Sequence, residues 1–227
     1  MIEVKDLEVR FGGVTPIDGM TVTFPQGTCG LIGPNGAGKT TFFNVLSGFV
    51  KPADGSVTAF GDDLLRMPDF RRARWGLRRT FQTEQAIEKL SVYDNVAIAH
   101  EHSGEGRATR DEAVLGAIGF VGLEMDPSVK VGTLGARDRR LVEVARAVVG
   151  KPRMVLLDEP AAGLPDEETE HMGALVILVD HDMSLVSACC EITAVLDFGK
   201  LIASGPTEEV LRDEKVMRAY LGTEDEA

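Results

Sequence analysis

Apolar and polar side chains alternate near the start of the chain, with Leu7, Val9 and Phe11 in one run and Val22 and Phe24 in another. A period of two lines up alternate side chains on one face, so these runs predict antiparallel strands covered on one side. The pattern then changes. Thr28 to Ile32 is a short apolar strand that ends in a glycine-rich loop, and Phe42, Val45, Leu46 and Phe49 follow at the i, i+3, i+4, i+7 spacing of a helix.

The middle of the chain is different in character. Ser91-Val92-Tyr93-Asp94 and Thr109-Arg110-Asp111-Glu112 both have the capping-box form, in which a hydroxyl and a carboxylate satisfy open amides at a helix start. They predict helices near Val92 to His102 and Arg110 to Val121, separated at Gly104 and Gly106 and ended by Gly122. Residues from about Thr83 to Gly132 therefore read as a helical lobe inserted into an α/β core made of 1–82 and 133–227. The core resumes with a helix whose apolar face is Leu141, Val144, Ala145 and Val148, stopped at Gly150-Lys151-Pro152. Met154 to Leu157 and Val176 to Val179 are buried strands, and Ile192 to Leu196 and Leu201 to Ser204 form a hairpin through Gly199. Two short helices and an acidic tail, Gly222 to Ala227, close the chain, and no internal repeat is visible.

With 227 residues, 44% of them hydrophobic, the chain closes a core as one large domain or a domain plus a lobe. Disorder and a disulfide-built miniprotein are excluded. The net charge of −12 repels phosphate backbones, so no nucleic-acid partner is expected. Cys29, Cys189 and Cys190 are odd in number and lack metal-ligand spacing, which suits reduced core thiols in a cytosolic compartment. No apolar run approaches the roughly 20 residues of a bilayer-spanning helix, and the first residues do not resemble a secretory signal. Service to a membrane would then require docking onto another chain.

Gly33-Pro34-Asn35-Gly36-Ala37-Gly38-Lys39-Thr40 matches the G-x-x-x-x-G-K-[ST] phosphate loop, between the predicted strand and helix where its mechanism requires it. Glycines let backbone N–H groups turn inward around a β-phosphate, and the helix that follows points its positive end at the anion. Lys39 would bridge β- and γ-phosphates and Thr40 would place its hydroxyl on Mg²⁺. The expected phosphate-binding set is Asn35, Gly36, Ala37, Gly38, Lys39, Thr40 and Thr41. The bland alternative is a glycine-rich turn carrying an exposed lysine. Met154-Val155-Leu156-Leu157-Asp158-Glu159 supplies the second half of such a site, an apolar strand delivering Asp158 to the metal and Glu159 to an attacking water as general base. Alone, an acidic pair after such a strand is more often a surface loop.

In this order the motifs resemble the ATP-binding subunit of an ABC transporter over nearly the whole chain. Arg79-Thr80-Phe81-Gln82 looks like the family's Q-loop, Asp180-His181-Asp182-Met183 its switch-histidine loop, and Phe11 stands where the family stacks an aromatic ring on adenine. Glu159-Pro160-Ala161-Ala162-Gly163-Leu164, His181 to Val186 and Ala219-Tyr220-Leu221-Gly222 are similar to the branched-chain amino-acid uptake branch. The resemblance implies a P-loop NTPase (RecA-like) α/β core with an antiparallel β-subdomain and a helical subdomain. It also implies an ATPase that drives import from the cytoplasmic face of the inner (plasma) membrane. Its catalytic residues would be Glu159, His181 and Gln82, with Gln82 also touching Mg²⁺. Expected partners are transmembrane permease subunits, a second ATP-binding subunit in a homo- or heterodimer and, indirectly, a substrate-binding protein. Taken singly, Gln82 is a polar loop residue, His181 is as often structural as functional, and a strand-end aromatic such as Phe11 is usually core. His100, His102 and His171 read as solvated or locally bonded.

The chain also departs from the family. The signature position, commonly Leu-Ser-Gly-Gly-Gln at a helix start, falls at Leu134-Gly135-Ala136-Arg137-Asp138. Gly135 lacks a hydroxyl for a partner's γ-phosphate. Arg137 replaces a glycine that permits close approach, and it either contacts phosphate or obstructs the interface. This opens a second reading, a regulatory or weakly active nucleotide-binding subunit. A third, a non-transport ABC ATPase, is disfavoured by the acidic charge. Pro165 stands where many relatives carry an acidic or amide side chain, and the helix from Pro165 to about Ala174 is shorter than theirs, through a deletion or residues missing from the chain as read.

Overall fold

The computed structural model describes residues 1–101, 110–160 and 173–221. Outside them lie His102, Gly104, Gly106, Thr109 with its capping box, Pro165, His171, most of the short crossover helix and the acidic tail. The first two strands, β1 (Ile2–Phe11) and β2 (Val14–Phe24), pair antiparallel as their alternation predicts. In β1 the buried positions run Ile2 and Val4, then Leu7 and Val9. That change of parity occurs at Asp6, whose φ of 49° and the register shift between Val4 and Leu7 mark a bulge that turns the later residues back to the core. Phe11 breaks the pattern at the strand's end and is 53% exposed.

β3 (Gly27–Ile32) runs into the glycine-rich loop, and α1 (Lys39–Ser47) leaves it. Phe42, Phe43, Val45 and Leu46 are buried along α1. Phe49 corrects the sequence expectation. The helix stops at Gly48, a left-handed C-cap with φ 86°, so Phe49 leaves the helical face, is 57% exposed and stacks on Phe81 with ring centroids 6.1 Å apart.

The stretch that follows holds elements the periodicity did not reveal. They are β4 (Asp54–Ala59), β5 (Asp62–Asp63), α2 (Asp69–Trp75) and β6 (Leu77–Arg79). The short pieces β5 and β6 carry too few residues to show a period, and their pairing comes from tertiary contact. β2, β1, β4 and β5, in that order, make a four-stranded antiparallel sheet.

Next come α3 (Val92–His100), α4 (Arg110–Phe120) and α5 (Ala136–Val148). Ser91 caps α3 by accepting from the Asp94 amide at 3.0 Å. The reciprocal half of the box differs, because the Asp94 carboxylate takes the Ser91 hydroxyl at 2.6 Å rather than a backbone amide. His100 is 2% exposed, which removes the solvated reading for it. The predicted apolar face of α5 is buried throughout, and Arg140 and Glu143 are buried beside it.

β7 (Met154–Asp158) and β8 (Leu175–Val179) are buried at every position, as strands covered on both faces must be. After α6 (Met183–Cys189) the hairpin β9 (Ile192–Asp197) and β10 (Lys200–Pro206) forms as expected, and α7 (Thr207–Val210) and α8 (Glu214–Leu221) follow. The second sheet has the order β10-β9-β3-β8-β7-β6, with β10 antiparallel at one edge and the other neighbours parallel. Met154 and Leu156 face a cluster shared with the antiparallel sheet and α1, while Val155 and Leu157 face one shared with α3, α4 and α5. The carboxyl ends of β3, β7 and β8 thus emerge together between two packed layers, where ligands of such sheets bind. The three cysteines are thiols, with Cys29 and Cys190 buried.

Candidate functional site

A cleft of about 270 Å³ opens at those carboxyl ends, lined by Asn35, Gly36, Ala37, Gly38, Lys39, Thr40 and Thr41 together with Gln82, Asp158 and Glu159. The loop's shape depends on glycine at two points. A Cβ on Gly33, at φ 148°, would sit 2.0 Å from the Leu196 carbonyl oxygen, and one on Gly38, at φ 108°, would sit 2.2 Å from that of Pro16. Gly38 is also the N-cap of α1 and supplies no side-chain cap, so amides of the first turn face the cleft without a side-chain partner. The turn of the hairpin braces the loop from behind, where the Gly199 amide donates to Ala37 at 3.0 Å.

Lys39 curls back over its own loop, donating to the carbonyls of Gly33 and Pro34, the latter at 2.9 Å. Burial pulls its ammonium below the usual lysine value, and the carboxylates of Glu159 and Asp158 oppose that pull. It is therefore a cation held close to two carboxylates across a cleft, the arrangement a phosphate with its own counter-ion would bridge.

Asp158 is fixed on three sides. Its amide donates to the Thr80 hydroxyl at 2.9 Å, its carbonyl accepts from Arg140, and its carboxylate Oδ2 lies 3.4 Å from Arg79. Glu159 follows with a left-handed φ of 48°, uncommon for a side chain of this size. Three bonds hold that backbone: its amide donates to the Val179 carbonyl at 2.8 Å, and its carbonyl accepts twice from Arg140, at 2.9 and 2.7 Å. Arg140 also donates to the Phe81 carbonyl at 2.6 Å, next to Gln82. Glu143 and Arg146 of the same helix bind the amide and carbonyl of Gln85, at 2.9 and 2.8 Å. Helix α5 thereby grips both the backbone of Glu159 and the loop that follows Gln82.

The other expected residues are placed less closely. His181 stands just past β8 with its side chain 82% exposed and Nδ1 3.6 Å from Asp180 Oδ1; it does not line the cleft, and neither does Phe11. The exposure of Phe11 excludes the core reading. Asp182 caps α6 by accepting from Ser184 and Leu185 at 2.8 and 3.3 Å. Gly135 is the N-cap of α5 with no side-chain bond, and Arg137 is exposed in its first turn.

Sequence reasoning assigned no role to Arg79, Thr80, Arg140 or Tyr220. The first three were visible only as neighbours of motif residues. Burial pushes the phenol of Tyr220, on α8, up to about 12, and the backbone at Gly33 acts in the opposite sense. Oxygen donors at Thr40, Gln82 and Asp158 around one cleft suit a hard cation. Among the described residues no group of three His, Cys, Asp or Glu side chains could hold a metal. An ion held here would take further ligands from phosphate and water.

Behind this cleft lies a second, apolar groove of about 470 Å³, between α2, β6 and α3. Phe49, Phe70 and Ile98 line it and are 57%, 56% and 39% exposed, and Arg79 and Phe81 form its inner wall. Among the described residues no helix is long and apolar enough to cross a membrane.

The family model described as ABC transporter matches residues 17–162, and one described as Branched-chain amino acid ATP-binding cassette transporter matches residues 200–226. The chain is 33% identical to the high-affinity branched-chain amino acid transport ATP-binding protein BraF of Pseudomonas aeruginosa, with 98% of each covered. It is equally similar to LivG of Escherichia coli, a protein of the same description, with the same coverage. These alignments span 249 positions, more than the 227 residues here, so the relatives carry residues that this chain lacks. Among solved structures, the ADP conformation of an ATP-binding cassette of an ABC transporter superposes with a TM-score of 0.84 at 26% identity, covering 98% of both chains. A nucleotide-free cassette gives 0.83 at 26% identity, covering 97% of this chain and 98% of the other.

Proposed function

The chain belongs to the ABC transporter family, and on that premise we propose that it is the ATP-binding and hydrolysing subunit of an importer, with branched-chain amino acids as the transported class. One observation carries the chemistry: the phosphate loop, Gln82, Asp158 and Glu159 line a single cleft. Amides of the loop and of the first turn of α1 would hold the β-phosphate, and Lys39 would exchange its loop carbonyls for phosphate oxygens. Mg²⁺, held by Thr40, Asp158 and Gln82, would neutralise charge on the phosphates. Glu159, its backbone fixed by Arg140, is the base that orients and deprotonates water. His181 and Phe11 would reach γ-phosphate and adenine once nucleotide and a second subunit narrow the cleft.

We assign the apolar groove to a permease subunit, which would hold the protein peripherally at the cytoplasmic face of the membrane; residues 83–132 act as the lobe carrying its far wall. The substrate-binding protein would be engaged only through the permease. The bare N-terminus of α5 favours a dimer in which this chain serves its partner's ATP poorly. Unequal sites follow if the second subunit has a complete signature.

Glu159→Gln tests the assignment. Turnover should fall by at least about 10³-fold, with ATP affinity kept within a few-fold. Sustained hydrolysis by that variant would remove Glu159 from its role.

A further inference from the structure

The ion pair between Arg79 and Asp158 is buried beside the cleft, with both side chains 5% exposed. Arg79 is over-determined. Its guanidinium donates to Asn44 Oδ1 at 2.7 Å and to the Ser47 hydroxyl at 3.4 Å, both on α1. It also lies over the rings of Phe43 and Phe81, 5.4 and 4.9 Å from their centroids. Phe81 is in turn stacked on Phe49, and both rings line the apolar groove. One side chain thus touches the metal-binding carboxylate, the helix that leaves the phosphate loop and the wall of the groove. A carboxylate buried this deeply needs a compensating cation, and leaving it unpaired is strongly unfavourable.

We propose that Arg79 is the counter-charge of Asp158 when no metal is bound, and the positioning residue through which the groove acts on the metal site. The inference rests on the nucleotide-site reading above. Arg79 and a bound cation act on the same carboxylate and repel each other, so the arginine sets how much Mg²⁺ is needed. A partner pressing on Phe49 and Phe81 would shift the guanidinium and change that requirement without touching nucleotide.

The test is made on the purified chain. ATP affinity is titrated against Mg²⁺ by calorimetry, and melting temperature is followed without metal or nucleotide. Wild-type protein that shows no Mg²⁺-dependent ATP binding contradicts the site itself; the inference is judged only where wild type binds. Arg79→Gln should lower the Mg²⁺ concentration at half-effect by about threefold or more and lower the metal-free melting temperature. Phe81→Ala should move the Mg²⁺ midpoint the same way by less. An unchanged or raised midpoint in Arg79→Gln overturns the counter-charge role, and an unchanged midpoint in Phe81→Ala overturns the link to the groove. Should Arg79→Gln fail to fold alone, Asp158→Asn/Arg79→Gln is compared with Asp158→Asn. With the carboxylate neutral no unpaired charge is left, so the double variant should fold where Arg79→Gln alone does not, and it should melt below Asp158→Asn only through the lost bonds to Asn44 and Ser47 and the lost ring contacts. A double variant that fails to fold as well overturns the proposal.

Discussion

Helices α1 and α5 both begin after a glycine, Gly38 and Gly135, and neither N-cap makes a side-chain hydrogen bond. The same open amides meet different surroundings. At α1 they face a cleft that the chain completes itself, with Lys39 on one side and Asp158 and Glu159 on the other. At α5 they open outward, beside exposed Arg137 and the acidic Asp138 of the first turn. Gly38 sits at φ 108° under the Pro16 carbonyl and admits no side chain, whereas Gly135 at φ −67° has nothing near its Cβ position. One terminus needs glycine for its shape. The other merely lacks a hydroxyl, and any ligand it serves must come from another molecule.

The largest expected effect on nucleotide binding falls on the complete end. Lys39→Ala removes the cation of the cleft, and ATP affinity measured by calorimetry should drop about 100-fold, or ~2.7 kcal/mol. Arg140→Ala comes next. It strips partners from the carbonyls of Phe81, Asp158 and Glu159, costing about 2–4 kcal/mol of stability and lowering kcat more than ATP affinity. Thermal melting and steady-state kinetics check the two parts. Arg137→Gly probes the open end: turnover of the reconstituted transporter should change several-fold while ATP affinity of the isolated chain does not. Unchanged turnover would detach α5 from its partner's nucleotide. Gly135→Ser should add only a few tenths of a kcal/mol, measured by denaturant melting, because glycine is already a tolerable N-cap.

The last effect is absent near neutral pH and concerns β3, the strand that feeds the loop. Burial pushes the Cys29 thiol from its ordinary 9.0 up to about 12. The folded chain keeps that proton after the unfolded chain has lost it, so stability is full below pH 9.0 and declines as pH rises towards about 12. Cys29→Ala should flatten the decline in alkaline melting curves.

The elements that carry a period of their own were legible in sequence. The phosphate loop, β7, α5 and the β9–β10 hairpin each declare themselves within a few residues. What stayed hidden depends on partners distant along the chain. The two residues of β5 and three of β6 are strands only because β4 and β7 pair with them. Phe49 kept the helical spacing but lay beyond a left-handed glycine, a stop that spacing alone does not register. At the site, motif residues were readable because each brings its own chemistry. Arg79 and Arg140 were not, because they act on Asp158 and Glu159 from elements 79 and 18–19 residues away.

The proposed function requires this chain to grip a nucleoside triphosphate at the amide-lined end of α1 in concert with a cation opposite. Calorimetric titration of ATP into the folded protein, with Mg²⁺ and then with the ion chelated, tests it most directly. Saturable binding that weakens markedly on chelation is the predicted result, and folded protein that takes up neither ATP nor ADP under either condition would contradict the account.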